Sequence, residues 1–122
     1  MRKVLVGGVF NVIHPGHIYF LKEAKSHGDY LVVVVASDRT AGTKSIFPAK
    51  VRKKMVESLE FVDKVVIGGS GDRMAVARRE KPDVIVLGYD QVMDIKGFPV
   101  KRVRKLEGFS TSEIIRKIKK KK

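Results

Sequence analysis

The sequence predicts an α/β domain, a doubly wound sandwich with a five-stranded parallel sheet and helices on both faces. Three observations point there. The strand-like segments are short, β-branched and apolar nearly throughout, as strands covered on both sides are. They alternate with stretches whose apolar residues recur at helical spacing. The first of them, Lys3–Val9, runs into a turn rich in glycine and histidine. That is the end of a parallel strand where such sheets bind ligands.

The strands read as Lys3–Val9, Tyr30–Ala36, Lys64–Ile67, Asp83–Leu87 and, less clearly, Val100–Val103. The first helix reads as His17–His27, with Ile18, Leu21 and Ala24 on one face and Gly28 where a C-terminal cap belongs. A second, Pro48–Leu59, opens with proline at a plausible first position and is expected to bury Val51, Met55, Val56 and Leu59. A third, Asp72–Glu80, is stopped by Pro82. The last, Ser110–Lys120, begins with the capping box Ser110-x-x-Glu113 and carries Ile114, Ile115 and Ile118. The interval Gln91–Pro99 is short for a crossover between parallel strands. Either the fifth strand is approached unusually or residues are missing there; Arg39–Phe47 raises the same question more mildly.

One domain spanning residues 1–122 suits this length. Cysteine is absent, which excludes disulfides, a thiolate nucleophile and a Cys-based zinc site. No apolar run approaches the roughly 20 residues of a membrane helix. Met1-Arg2-Lys3-Val4 has no signal-peptide character and enters the first strand directly, so a cytoplasmic location is expected. Twenty-six Lys and Arg against thirteen Asp and Glu give +13, which favours anionic partners. The basic run Arg116–Lys122 reads either as a solubilising helix end or as a phosphate contact. Gly68-Gly69-Ser70-Gly71 lacks dinucleotide-motif spacing and reads as a turn.

The turn itself is Gly7-Gly8-Val9-Phe10-Asn11-Val12-Ile13-His14-Pro15-Gly16-His17. A helix starting at His17 would present unpaired, partly positive backbone N–H groups. Pro15 would fix the turn, Gly16 would let a ligand reach the backbone, and Gly7 and Gly8 would open space beside the strand. The imidazoles of His14 and His17 could donate to phosphate oxygens. Zinc binding by the pair lacks a third ligand, and two purely structural histidines form the other alternative.

Residues 8–17 resemble the Gly-x-Phe-Asp-x-x-His-x-Gly-His signature of cytidylyltransferase-like nucleotidyltransferases. Gly108–Ile115 resembles that family's Ile-Ser-Ser/Thr-Thr stretch, and Val84–Asp90 resembles its strand ending in Gly-x-Asp. Arg52–Val56, followed by Val62-Asp63, resembles its segment before the third strand. The resemblance implies a Rossmann-like fold and nucleotidyl transfer. A phosphate oxygen of an acceptor attacks the α-phosphorus of a nucleoside triphosphate, and pyrophosphate leaves. It implies Mg²⁺ or another divalent cation with the triphosphate, no tightly held cofactor, and a homodimer. It assigns catalysis to His14, His17 and Lys44, the last on a mobile loop. Nucleotide binding falls to Gly8, Val9, Phe10, Asn11, Gly16, Gly88, Asp90, Ser110, Thr111 and Ser112. Arg52 would bind the acceptor phosphate or brace the Lys44 loop, and Lys105 would bind the acceptor. Two departures stand out: Asn11 replaces an aspartate, and Lys105 stands where many relatives carry arginine.

The string Leu87-Gly88-Tyr89-Asp90-Gln91 is most similar to archaeal FAD synthases, which implies AMP transfer from ATP to FMN. Glycerol-3-phosphate cytidylyltransferases and sugar-phosphate nucleotidyltransferases of lipopolysaccharide-core synthesis carry similar motifs. A non-catalytic nucleotide- or nucleic-acid-binding module is the alternative of another class, suggested by the charge but without a stacking motif or helix-turn-helix to support it. No membrane partner is expected.

Overall fold

The computed structural model describes residues 1–69, 74–91, 93 and 95–104, with Lys44 described by its backbone alone. The elements run β1 (Lys3–Gly8), α1 (Pro15–Lys25), β2 (Tyr30–Val35), α2 (Asp38–Ala41), a 3₁₀ turn (Gly42–Lys44), α3 (Ala49–Glu57), β3 (Lys64–Ile67), α4 (Ala75–Glu80), β4 (Val84–Leu87) and β5 (Val100–Arg102). The helix expected over Ser110–Lys120 and the basic run lie outside the described residues.

The five strands are all parallel, in the order β3-β2-β1-β4-β5. β1 pairs with β2 over its whole length, from Lys3 with Tyr30 to Gly8 with Val35. The order reverses between β3 and β4, which places the switch point between β1 and β4. Alternation along the strands then fills both faces. Val4, Val6, Val33 and Val86 meet Leu21 and Ala24 of α1 and Val56 of α3. Leu5, Val32, Ile85 and Leu87 turn the other way, against Val76 and Ala77 of α4. Each fully buried valine or leucine is worth about 1.5–3 kcal/mol, so these two clusters carry most of the stability. Among the described residues no helix is long and apolar enough to cross a membrane.

Polar contacts pin the amino ends of the strands. Asp63 accepts from Lys25 Nζ at 2.6 Å and from the Leu31 N–H at 2.7 Å. Burial pushes its carboxyl up, but the Lys25 and Leu31 hydrogen bonds and the Lys25 charge outweigh it and hold the group below the usual range. The nearly buried Glu80, at the end of α4, meets Lys64 of β3 at 2.9 Å and Lys3 of β1 at 3.7 Å. The Lys64 hydrogen bond is the main reason its carboxyl also titrates low.

Three expectations are corrected. α1 starts at Pro15, not His17, because proline fits the first helical position, where no N–H is needed. Gly28 does not cap α1; Ser26 does, and glycine is required because a Cβ at 28 would come within 2.5 Å of the Arg2 carbonyl oxygen. α3 buries Ala49, Arg52 and Val56, whereas Val51 is 40% exposed. Its inner face is therefore one residue out of phase with the apolar pattern. The unusual approach to the fifth strand is the one found: among the described residues no helix lies between β4 and β5, and the connection lays Met93, Ile95 and Phe98 over the α4 side of the sheet.

Candidate active site

The site forms where β1 and β4 end, on the turn between β1 and α1. Chain direction changes sharply at Phe10, whose φ is 52°. That left-handed step folds the Phe10 ring back over Gly8, where an added Cβ would lie 2.9 Å from ring atom Cε2. Gly8 thus makes room for Phe10 rather than for a ligand, and the Phe10 side chain belongs to the core at 4% exposure. Its ring stands 5.6 Å from that of His17 and backs the imidazole.

His14 is the N-cap of α1. Its Nδ1 accepts from the Gly16 N–H at 3.1 Å, and its carbonyl accepts from the N–H groups of His17 at 2.9 Å and Ile18 at 3.2 Å. His17, at the third helical position, returns the contact: its Nδ1 accepts from the His14 N–H at 3.3 Å. The two imidazoles therefore form a reciprocal capping box, with ring centroids 3.9 Å apart. The amides expected to stand open to a phosphate are engaged by His14 instead, so the helix contributes its dipole rather than orphan donors.

An Nδ1 that accepts from a backbone N–H carries no proton, so each neutral ring holds its proton on Nε2. Burial lowers the His14 pKa. For His17, burial first and the neighbouring His14 second push the value down to about 4, against a hydrogen bond with the Val12 backbone that works the other way. Both rings are neutral at pH 7. Depressed pKa values at a strand end make the pair a candidate site.

Arg52 is fully buried. Its Nε donates to the Phe47 carbonyl at 2.9 Å, Nη1 donates to Val9 and Ala36 carbonyls at 2.8 Å each, and Nη2 meets Asp38 Oδ1 at 3.1 Å. A guanidinium so enclosed does not reach an acceptor phosphate. It ties the carboxyl ends of β1 and β2 to the loop that carries Lys44. Asn11 makes the second tie, its Oδ1 accepting from the Ile46 N–H at 2.7 Å. A carboxylate would serve that bond equally, so the acceptor oxygen of the usual aspartate survives in Asn11. Lys44 closes the 3₁₀ turn that follows α2.

At the end of β4, the Gly88 N–H donates to Gln91 Oε1 at 2.8 Å, and Asp90 is exposed on the turn beside it. The structure thus brings Gly8, Val9, Asn11, His14, Gly16, His17, Gly88 and Asp90 to the carboxyl edge of the sheet. Lys105, Ser110, Thr111 and Ser112 lie outside the described residues. Sequence reasoning missed Asp38, Gln91 and Arg102. Only Gln91 had a signal, as part of a quoted motif; the other two are polar residues without distinctive spacing. Among the described residues, no three His, Cys, Asp or Glu side chains are placed to hold a metal ion.

The chain is similar to known proteins in sequence and in fold. The cytidylyltransferase-like family profile matches residues 5–120. A FAD synthase from Pyrococcus horikoshii is 44% identical over 119 residues, covering 93% of this chain and 78% of that protein. FAD synthases from Picrophilus torridus and Ferroglobus placidus are 46% and 47% identical over 73% and 77% of this chain. The chain spans less than two-thirds of the length of those last two, 66% and 63%. A crystal structure described as a lipopolysaccharide core biosynthesis protein from Thermoplasma volcanium superposes with a TM-score of 0.78 at 42% identity, covering 87% of this chain and 97% of that one.

Proposed function

The chain belongs to the cytidylyltransferase-like family, and from that membership we propose that it is a nucleotidyltransferase that makes FAD from FMN and ATP. The observation that carries the chemistry is the pair of neutral imidazoles in one capping box at the carboxyl edge of β1. The relatives named FAD synthase support the choice of substrates.

A phosphate oxygen of FMN attacks the α-phosphorus of ATP. The new P–O bond forms as the bond to the β-phosphate's bridging oxygen breaks, and pyrophosphate leaves with that electron pair. No residue becomes covalently attached. Catalysis is positioning plus stabilisation of charge on the phosphoryl oxygens. His14 and His17 donate to those oxygens, and the α1 dipole favours negative charge beside them. Lys44, held near the site by the Asn11 and Arg52 ties to its loop, closes on the triphosphate. Gly88 and Asp90 face the base and ribose. Ser110, Thr111 and Ser112 hold the β- and γ-phosphates, and Lys105 serves the acceptor.

Donors on the turn are imidazoles and one amide, a set that suits a cation carried mainly by substrate oxygens, as Mg²⁺ usually is. Bound there, Mg²⁺ would neutralise charge on the departing pyrophosphate. The reading extends to a homodimer, which sedimentation of the pure protein tests, and to a cytoplasmic location.

The deciding assay incubates the chain with FMN, Mg²⁺ and either ATP or CTP. FAD and pyrophosphate should form with ATP, and His14→Ala and His17→Ala should each abolish them. The Thermoplasma neighbour's description favours a second reading, a sugar-phosphate acceptor. Turnover of a sugar phosphate with no flavin dinucleotide from either triphosphate would establish that reading and overturn the first.

A further inference from the structure

We infer that Gln91 and Arg102 form a positioning clamp that sets the nucleotide-facing turn Gly88–Gln91, and through it the affinity for the nucleotide. The inference rests on the nucleotidyl-transfer reading above.

Five hydrogen bonds converge there. The β1–β4 ladder pairs Val4 with Val84 and Leu5 with Ile85, ahead of the strand ends. At those ends the Gln91 carboxamide stands between the strands. Its Oε1 accepts from the Gly88 N–H at 2.8 Å, and its Nε2 donates to the Gly7 carbonyl at 2.9 Å. A carboxamide carries the same donor and acceptor as a peptide unit, so Gln91 acts as an inserted spacer between β1 and β4. Arg102 closes the other side: its Nη1 donates to the carbonyls of Gly88 and Gln91, at 2.7 Å each. The Gln91 N–H also returns to the Gly88 carbonyl at 3.2 Å, so residues 88–91 form a β-turn with Tyr89 and Asp90 at its corner. Both corner residues are exposed.

This cluster sits at the switch point of strand order, where open parallel sheets admit a ligand. Gln91 fixes the width between the strand ends there, and Arg102 fixes the orientation of the turn's carbonyls. Neither touches the reacting phosphates; both act through main-chain groups that meet the base and ribose. Gln91→Glu separates the two halves of the amide. It keeps an acceptor for Gly88 but sets a carboxylate oxygen against the Gly7 carbonyl, so the spacer is lost with little change in shape.

Calorimetric titration of the full chain with the Mg²⁺ complex of an α,β-methylene ATP analogue, without FMN, tests the clamp. Gln91→Glu should bind on the order of tenfold more weakly than the native chain. In steady state the KM for ATP should rise to match while the KM for FMN holds. Native nucleotide affinity in Gln91→Glu overturns the inference. So does a fall in kcat with both KM values unchanged, which is what a purely structural role produces. Should Gln91→Glu fail to fold, Arg102→Ala, a truncation of an exposed side chain, carries the same expectation and the same refutation. If the native chain makes no FAD but the variants bind the analogue more weakly, the clamp stands and the FMN assignment falls.

Discussion

Replacing Arg52 with alanine removes a wholly buried guanidinium and leaves the carbonyls of Val9, Ala36 and Phe47 without their donor. The Asp38 pair adds little, because that carboxylate is 65% exposed and solvent screens it. The cost is thus set by the carbonyls, at about 1–3 kcal/mol for each unpaired buried group, less what water entering the vacated space recovers. A net loss of about 3–5 kcal/mol follows, within the range for breaking a buried polar network. For a domain of this size that lowers Tm by roughly 10–20 °C. Thermal and urea unfolding followed by circular dichroism measure it directly. Arg52→Lys should recover only part of the loss, since one ammonium cannot span donors aimed at β1, β2 and the loop. A binding role predicts a different pattern: native stability with a raised KM for the acceptor alone. That pattern in Arg52→Ala would refute the bracing assignment.

Three further outcomes are expected. His17 has its pKa lowered from 6.5 to about 4, so the folded state resists the proton that the unfolded chain accepts. Stability is therefore full above pH 6.5 and falls as pH drops from 6.5 towards 4, by at most about 3 kcal/mol and by about 1–2 after discounting for partial exposure. Urea midpoints across that window should show the slope in the native chain and lose it in His17→Asn. Gly8→Ala should cost about 1–3 kcal/mol by driving the Phe10 ring from its place, and an unchanged midpoint would contradict the packing described. Asn11→Asp should retain the 2.7 Å tie to Ile46 and most of the activity, whereas Asn11→Leu loses the acceptor and should lower kcat on the order of tenfold through the Lys44 loop; equal activity in the two variants would remove Asn11 from loop positioning.

Much of the fold was legible in the chain. The five strands were placed within a residue of their ends, because valine-rich runs such as Leu31–Val35 have no comfortable alternative to a strand buried on both faces. α3 was legible as a helix but not in its phase. Val51 looked like core and Arg52 like a residue that binds the acceptor or braces the loop; Val51 is exposed and Arg52 is buried because three main-chain carbonyls converge on the guanidinium. The histidine pair was legible as lying at the turn between the first strand and the first helix. That each ring caps the other's backbone was not, since this depends on whether the helix begins at residue 15 or 17.

By itself the sequence determined the parallel α/β class, the strand positions and the turn between the first strand and first helix, because these follow from local periodicity and short motifs. Only the tertiary structure decided that Arg52 is buried against the Val9, Ala36 and Phe47 carbonyls, that Phe10 fills the space beside Gly8, and that Gln91 and Arg102 hydrogen-bond the turn after β4. Those roles are set by contacts between segments distant in the chain, such as Gln91 with Gly7 and Arg52 with Val9. Hydrogen-bond direction and burial arise only when strand ends are brought side by side, and no spacing along a sequence encodes them.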